Sequence, residues 1–261
     1  MRATLTLLIT LATVSTSQAA LFVLNDLNSS ASFESATQAG QFDWVVDGKD
    51  YLEKQWFWYR VGPVGPEASV DTLPLLLSKS SDANLNPGNE TLSLRYGVPA
   101  FTIDLVFLLT GGPANSGTSD IAESIKISNT SGEPLEFHFF QYVDLTLSPA
   151  DTGVFPNVNT VRQTGVNGVM VFETVVTPAG THKEVKLVPV TLNALNDGLA
   201  TTLDDTLGPV IGDVAWAWEW DVIIPVRGAL IISKDKHISP EPGTVGLLLL
   251  GSVALLLLRR R

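Results

Sequence analysis

Between Val214 and Val222 the chain places Val, Trp, Trp, Trp and Val at every second position, with Ala215, Ala217, Glu219 and Asp221 between them. Successive side chains of a strand point to opposite faces, so Trp216, Trp218 and Trp220 share one side and the acidic pair the other. A helix would scatter the three indoles around its axis. The pattern reads as a strand with its indole face turned into a core and Glu219 and Asp221 toward solvent. An exposed row of indoles would instead stack sugar rings, so these three are also candidate glycan-binding residues. A second run, Gln55-Trp56-Phe57-Trp58-Tyr59-Arg60, is aromatic on both faces. It fits a strand buried on both sides or the wall of a ligand groove, which adds Trp56 and Trp58 to the candidates.

The same two-residue rhythm recurs along the chain, and no segment between the two ends sustains a helical period. Turn signals punctuate it at Asp47-Gly48, Gly62-Pro63, Gly65-Pro66, Asn86-Pro87-Gly88, Gly111-Gly112-Pro113, Ser131-Gly132, Asn167-Gly168 and Asp197-Gly198. Strands are predicted over 41–46, 50–61, 91–97, 100–110, 121–129, 134–147, 157–164, 169–176, 213–224 and 228–234, all rich in Val, Ile, Thr and aromatics. Asn167-Gly168 is the strongest hairpin signal. Residues 190–206 read as a helical turn or a long loop. Many strands with no helices to cover a parallel sheet predict an all-β fold, an antiparallel two-sheet β-sandwich over residues 20–238.

Residues 135–147 divide into an apolar face (Leu135, Phe137, Phe139, Gln141, Val143, Leu145, Leu147) and a polar-aromatic one (Glu136, His138, Phe140, Tyr142, Asp144, Thr146). The second reads as the exposed face of an amphipathic strand, with a binding stripe as the sharper alternative. His138 and Asp144 lie about 20 Å apart along such a strand and cannot pair. The chain has three histidines, His138, His182 and His237, and none shows ligand spacing, so no metal is expected. Asp82-Ala83-Asn84-Leu85-Asn86 has the alternate oxygens of a calcium loop. Pro87 stands where the loop needs Gly and Ser93 where it needs Glu, so it reads as an Asx-rich turn. No Gly-x-Ser-x-Gly elbow, phosphate loop or dinucleotide fingerprint occurs, and no cofactor is expected. With no cysteine, disulfides, thiolate metal sites and a Cys nucleophile are excluded.

The 261 residues carry a net charge of −11, and four of the sixteen cations are Arg2, Arg259, Arg260 and Arg261 at the ends. The acidic middle argues against nucleic-acid binding. Residues 1–19 have the form of a secretory signal peptide: Arg2, an apolar stretch from Leu5 to Val14, then Ser17 and Ala19 before a cut at Ala20. At the other end, Pro240-Glu241-Pro242 precedes an uninterrupted apolar segment over 243–258 and then the arginine run 259–261. Sixteen helical residues rise about 24 Å, enough for one membrane-spanning helix in a thinned bilayer. The basic cluster would hold its end in the cytoplasm.

Pro-Glu-Pro, a Gly-containing Leu helix and a closing Arg cluster, in that order, resemble the PEP-CTERM sorting signal of Gram-negative bacteria, here over residues 239–261. Ser239 stands where family members commonly have Val. The resemblance implies an exosortase as processing partner after signal peptidase, a transient inner-membrane intermediate, and delivery to the cell surface or extracellular matrix. It implies nothing about the fold or chemistry of the cargo. The expectation is therefore an exported, non-enzymatic surface or matrix protein. Its alternatives are a carbohydrate-binding module acting on extracellular polysaccharide through its aromatic platforms and, third, a glycan-cleaving enzyme.

Overall fold

The structure is a computed structural model and describes residues 21–240. The expected signal helix over 1–19, the membrane helix over 243–258, Glu241, Pro242 and the Arg259, Arg260, Arg261 cluster lie outside the described residues. Among the described residues no helix is long and apolar enough to cross a membrane.

Two sheets of nine strands each face one another. The first contains β1 (Leu21–Asp26), β2 (Ser29–Glu34), β3 (Gly40–Val46), β4 (Lys49–Asp50), β5 (Leu52–Val61), β6 (Ala68–Ser69), β11 (Leu135–Leu145), β15 (His182–Leu187) and β17 (Val214–Ile224). Its main order is β1-β2-β3-β5-β11-β17-β15, with β4 on β3 and β6 on β5. The second contains β7 (Leu75–Ser81), β8 (Thr91–Val98), β9 (Phe101–Gly111), β10 (Ser119–Asn129), β12 (Asp151–Asn157), β13 (Thr160–Gly165), β14 (Val169–Thr177), β16 (Val210–Gly212) and β18 (Ala229–Pro240), in the order β16-β12-β13-β14-β18-β10-β9-β8-β7. The sandwich expected from the two-residue rhythm is present. One pairing departs from it: Gly40 and Gln41 meet Gln55 in parallel. Gly40 has φ +58°, and a Cβ there would stand 2.3 Å from the Trp56 ring, so this position needs glycine twice over. Asn167-Gly168 does turn β13 into β14, with Gly168 at φ +79°.

The strands missed by the sequence reading, β1, β2, β6, β7, β12, β15 and β16, are short, polar or at sheet edges, where alternation carries little signal. The β18 strand runs to Pro240, two residues past the expected domain limit, and pairs Val169 with Pro240. Residues 190–206 hold one short helix, α1 (Val190–Ala194), and then a long irregular connection.

Phe57 stacks on Phe139, Tyr59 on Phe137, and Trp218 on Trp220, filling the space between the sheets. That core also contains charge. Lys234 meets Glu123 and Glu173, and Lys236 meets Glu123, all four at 3% exposure or less. From the facing sheet, Gln55 donates to Glu123 at 2.8 Å, Gln141 to Glu173 at 2.7 Å and Trp216 Nε1 to Glu173 at 2.6 Å. Two cations and two anions cancel, and the amides and indole N–H supply the hydrogen bonds a buried charge requires. Burial pulls the Lys236 ammonium down, while Glu123 is held low because Lys234 and Lys236 outweigh its own burial.

Candidate functional site

The outer face of the first sheet is set by the register of its four neighbouring strands. His138 on β11 stands between Arg60 on β5 and Asp221 on β17, and Phe140 between Trp58 and Glu219. On the far side Glu219 faces His182 of β15. Two segments lie over this face. The connection after β15 reaches down with Leu195 and Leu203, both buried. The Leu203 amide donates to Glu219 Oε2 at 2.7 Å, the Asp204 amide to Glu184 Oε2 at 3.0 Å, and Trp58 Nε1 to Asn196 Oδ1 at 3.3 Å. The turn after β6 brings Asp71 to accept from Trp56 Nε1 at 2.9 Å.

This cover corrects two expectations. Phe140 and Tyr142 are fully buried and Asp144 nearly so; the polar-aromatic face of 135–147 is exposed only at its two ends, Glu136 and Thr146. Glu219, expected in solvent, is 0% exposed. The aromatic platforms are corrected as well. Trp56, Trp58, Trp216 and Trp218 have 0% exposure and Trp220 1%, so none offers a ring face to a sugar. The indoles of β17 pack inward, with Phe155 edge-on to Trp218.

What stays open is the end of the face near His138. Glu136, His138, Asp221, Val222 and Ile223 line a shallow depression of about 280 Å³. His138 Nδ1 contacts Asp221 Oδ1, and His138 Nε2 lies 3.4 Å from Glu136 Oε1. His182 Nδ1 pairs with Asp205 at 2.8 Å, and its Nε2 is 3.8 Å from Asp221 Oδ2. His138, Glu219 and Asp221 each bring one donor atom within 4.8 Å of the others, a spacing that could hold a metal ion. Burial, and then the neighbouring Asp221 carboxylate, push Glu219 up to about 8 against the pull of the Leu203 amide and Arg60. Burial, reinforced by Asp213, pushes Asp144 up to about 7.

The sequence search missed this cluster because its members come from strands separated by 83 residues. The usable signals were a histidine on the polar stripe of one strand and two acids at alternate positions of another. Only the register joins them. The candidate calcium loop is an Asx ladder: Asp82 accepts from the Asn84 amide and Asn84 from the Asn86 amide, while both asparagine NH₂ groups point to Asp26. A larger depression of about 380 Å³ on the second sheet is lined by Arg95 and Asp104, which pair with each other.

A two-sheet β-sandwich with a polar depression on one outer face defines the class. No family model matches the chain, and no curated protein matches it either. Among solved structures, it is similar to a protein from Escherichia coli K12 named as an aldose 1-epimerase, with a TM-score of 0.52, 10% identity, and coverage of 85% of this chain and 100% of that one. The Slr1438 protein from Synechocystis sp. PCC 6803 matches with a TM-score of 0.52 and 7% identity, over 89% of this chain and 100% of that one. At such identity the likeness is one of fold.

Proposed function

We propose that this chain is an exported protein whose sandwich binds carbohydrate at the depression beside His138 and Asp221. The observation that carries the reading is the lining of that depression. Glu136, His138 and Asp221 present hydrogen-bonding groups for sugar hydroxyls, and Val222 and the exposed Ile223 offer an apolar flank for the C–H face of a ring. The fold shared with a structure named as an aldose 1-epimerase supports the same reading. The end segments supply the location: the signal peptide form of residues 1–19 and the Pro240-Glu241-Pro242, apolar helix, arginine order fit processing by signal peptidase and an exosortase, then residence at the cell surface or in the extracellular matrix. Extracellular polysaccharide is the ligand class that such a location presents.

Affinity electrophoresis of the full chain in gels containing extracellular polysaccharide tests the binding. Retardation should appear, and His138→Ala and Asp221→Asn should each abolish it with unchanged melting temperature. Equal retardation of wild type and both variants would place binding elsewhere. A second reading, sugar epimerisation with His138 and Glu219 as acid and base, is favoured by their proximity and by the raised Glu219 carboxyl. The sealing of Glu219 beneath Leu203 weighs against it, since a base must reach its substrate. Magnetisation-exchange measurements on free sugars decide between them: binding alone leaves anomeric exchange at its spontaneous rate.

A further inference from the structure

Glu219 Oε1 is buried in the middle of β17 without a hydrogen-bond partner. Its other oxygen is already taken by the Leu203 amide. A bare buried acceptor is destabilising, so the native protein should set a compensating positive charge or donor against it. The groups nearest are His138 and Asp221, whose donor atoms lie within 4.8 Å of the Glu219 carboxylate. The surroundings are rich in anions. Glu136 and Asp205 flank the two histidines, while the Arg60 guanidinium is committed to Glu67 and the Thr201 carbonyl.

We infer that His138, Glu219 and Asp221 form a binding site for a divalent transition-metal ion of the zinc type, with one coordination position open to the depression. One imidazole nitrogen and two carboxylates are a donor set that such an ion accepts, and three protein ligands leave a fourth position for water or a ligand oxygen. Donor atoms around one zinc ion stand roughly 3–3.5 Å apart, given bonds of about 2.0–2.2 Å. The three donors already lie within 4.8 Å of one another, and a bound ion would draw them in further to that spacing. The surrounding groups are those that orient metal ligands. In the metal-free protein His138 Nδ1–H donates to Asp221 Oδ1; uptake of the ion would move the ring proton to Nε2, where Glu136 stands 3.4 Å away to accept it. His182 stands at the second oxygen of Asp221, and the Leu203 amide fixes Glu219. Calcium fits poorly, because it seeks six to eight oxygens and no nitrogen.

The inference does not depend on sugar binding, and the two can fail separately. Zinc is titrated by calorimetry into the full chain after chelator treatment, near neutral pH. One equivalent should bind and raise the melting temperature, and calcium should do neither. His138→Ala and Glu219→Gln should each weaken zinc binding at least about tenfold. His237→Ala, whose histidine pairs with Asp120 on the other sheet, should leave it unchanged. Glu219→Gln keeps the side chain's shape and an acceptor for the Leu203 amide, so its metal-free melt should stay close to wild type; lost zinc binding is then not lost folding. A wild-type melt insensitive to zinc would overturn the inference, as would zinc binding that survives both variants and disappears with His237.

Discussion

Asp144 shows how position within one strand sets the chemistry of a carboxyl. It shares the outer face of β11 with His138 but sits at the covered end, 6% exposed, with Tyr142 donating to it at 3.3 Å. Burial and the nearby Asp213 raise its folded value to about 7 from an ordinary 3.8. Because the folded value is the higher one, the native state holds a proton that the unfolded chain has released. The contribution is complete below about pH 4 and is lost as pH rises through about 7. Asp144→Asn should therefore flatten the stability slope across that window and leave the protein roughly 1–3 kcal/mol more stable than wild type at pH 8, with little difference at pH 4. Denaturant melts at a series of pH values measure this, and parallel slopes for both proteins would refute it. The sequence shows Asp144 as one acid on a polar stripe. Its neighbours on β5 and β17, and the Asp213 charge that adds to the effect of burial, are all remote in sequence.

At the scale of elements, β17 is the strand whose sequence specified most of its own environment. The Val214–Val222 alternation implies one indole face and one acidic face, and Trp216, Trp218 and Trp220 do pack inward. Trp218→Ala should destabilise by about 3–5 kcal/mol, as truncation of a buried aromatic does, with the loss read from equilibrium denaturation. A nearly unchanged melt would mean that the ring contributes little to the core. The opposite face of β17 was not legible in the same way. Alternation says which side a residue takes and nothing about what covers it, and Glu219 is sealed by Leu203, sixteen residues upstream on an irregular connection. For β5, Trp56, Phe57 and Trp58 in succession fit burial on both sides or a groove wall, and the turn at Asp71 and the connection at Asn196 make it burial.

At the scale of the whole molecule, the central position of β18 in the second sheet bears on the proposed sorting. The strand lies between β14 and β10 and carries the pairing to Pro240, the first residue of the proposed sorting motif. If residues after about 240 are removed during delivery, the sandwich keeps every described strand. Mass spectrometry of the surface-released protein should then show no peptide from Gly243 to Arg261. Recovery of the intact tail only in membranes would reduce the segment to a plain anchor.

Local pattern determined the all-β class, the Asn167-Gly168 hairpin and the inward tryptophans, because each of these follows from periodicity or composition within a dozen or so residues; the export signals proposed at the two ends rest on local pattern alone. Tertiary structure alone decided the rest. The neutral network of Glu123, Glu173, Lys234 and Lys236 needs β10, β14 and β18 side by side, opposite Gln55 and Gln141. The meeting of His138 with Asp221 and Glu219 needs the register of β11 on β17. In one dimension a buried acid and a solvated one look the same. What separates them is the desolvation imposed by chain segments remote in sequence, and only the folded arrangement brings those segments together.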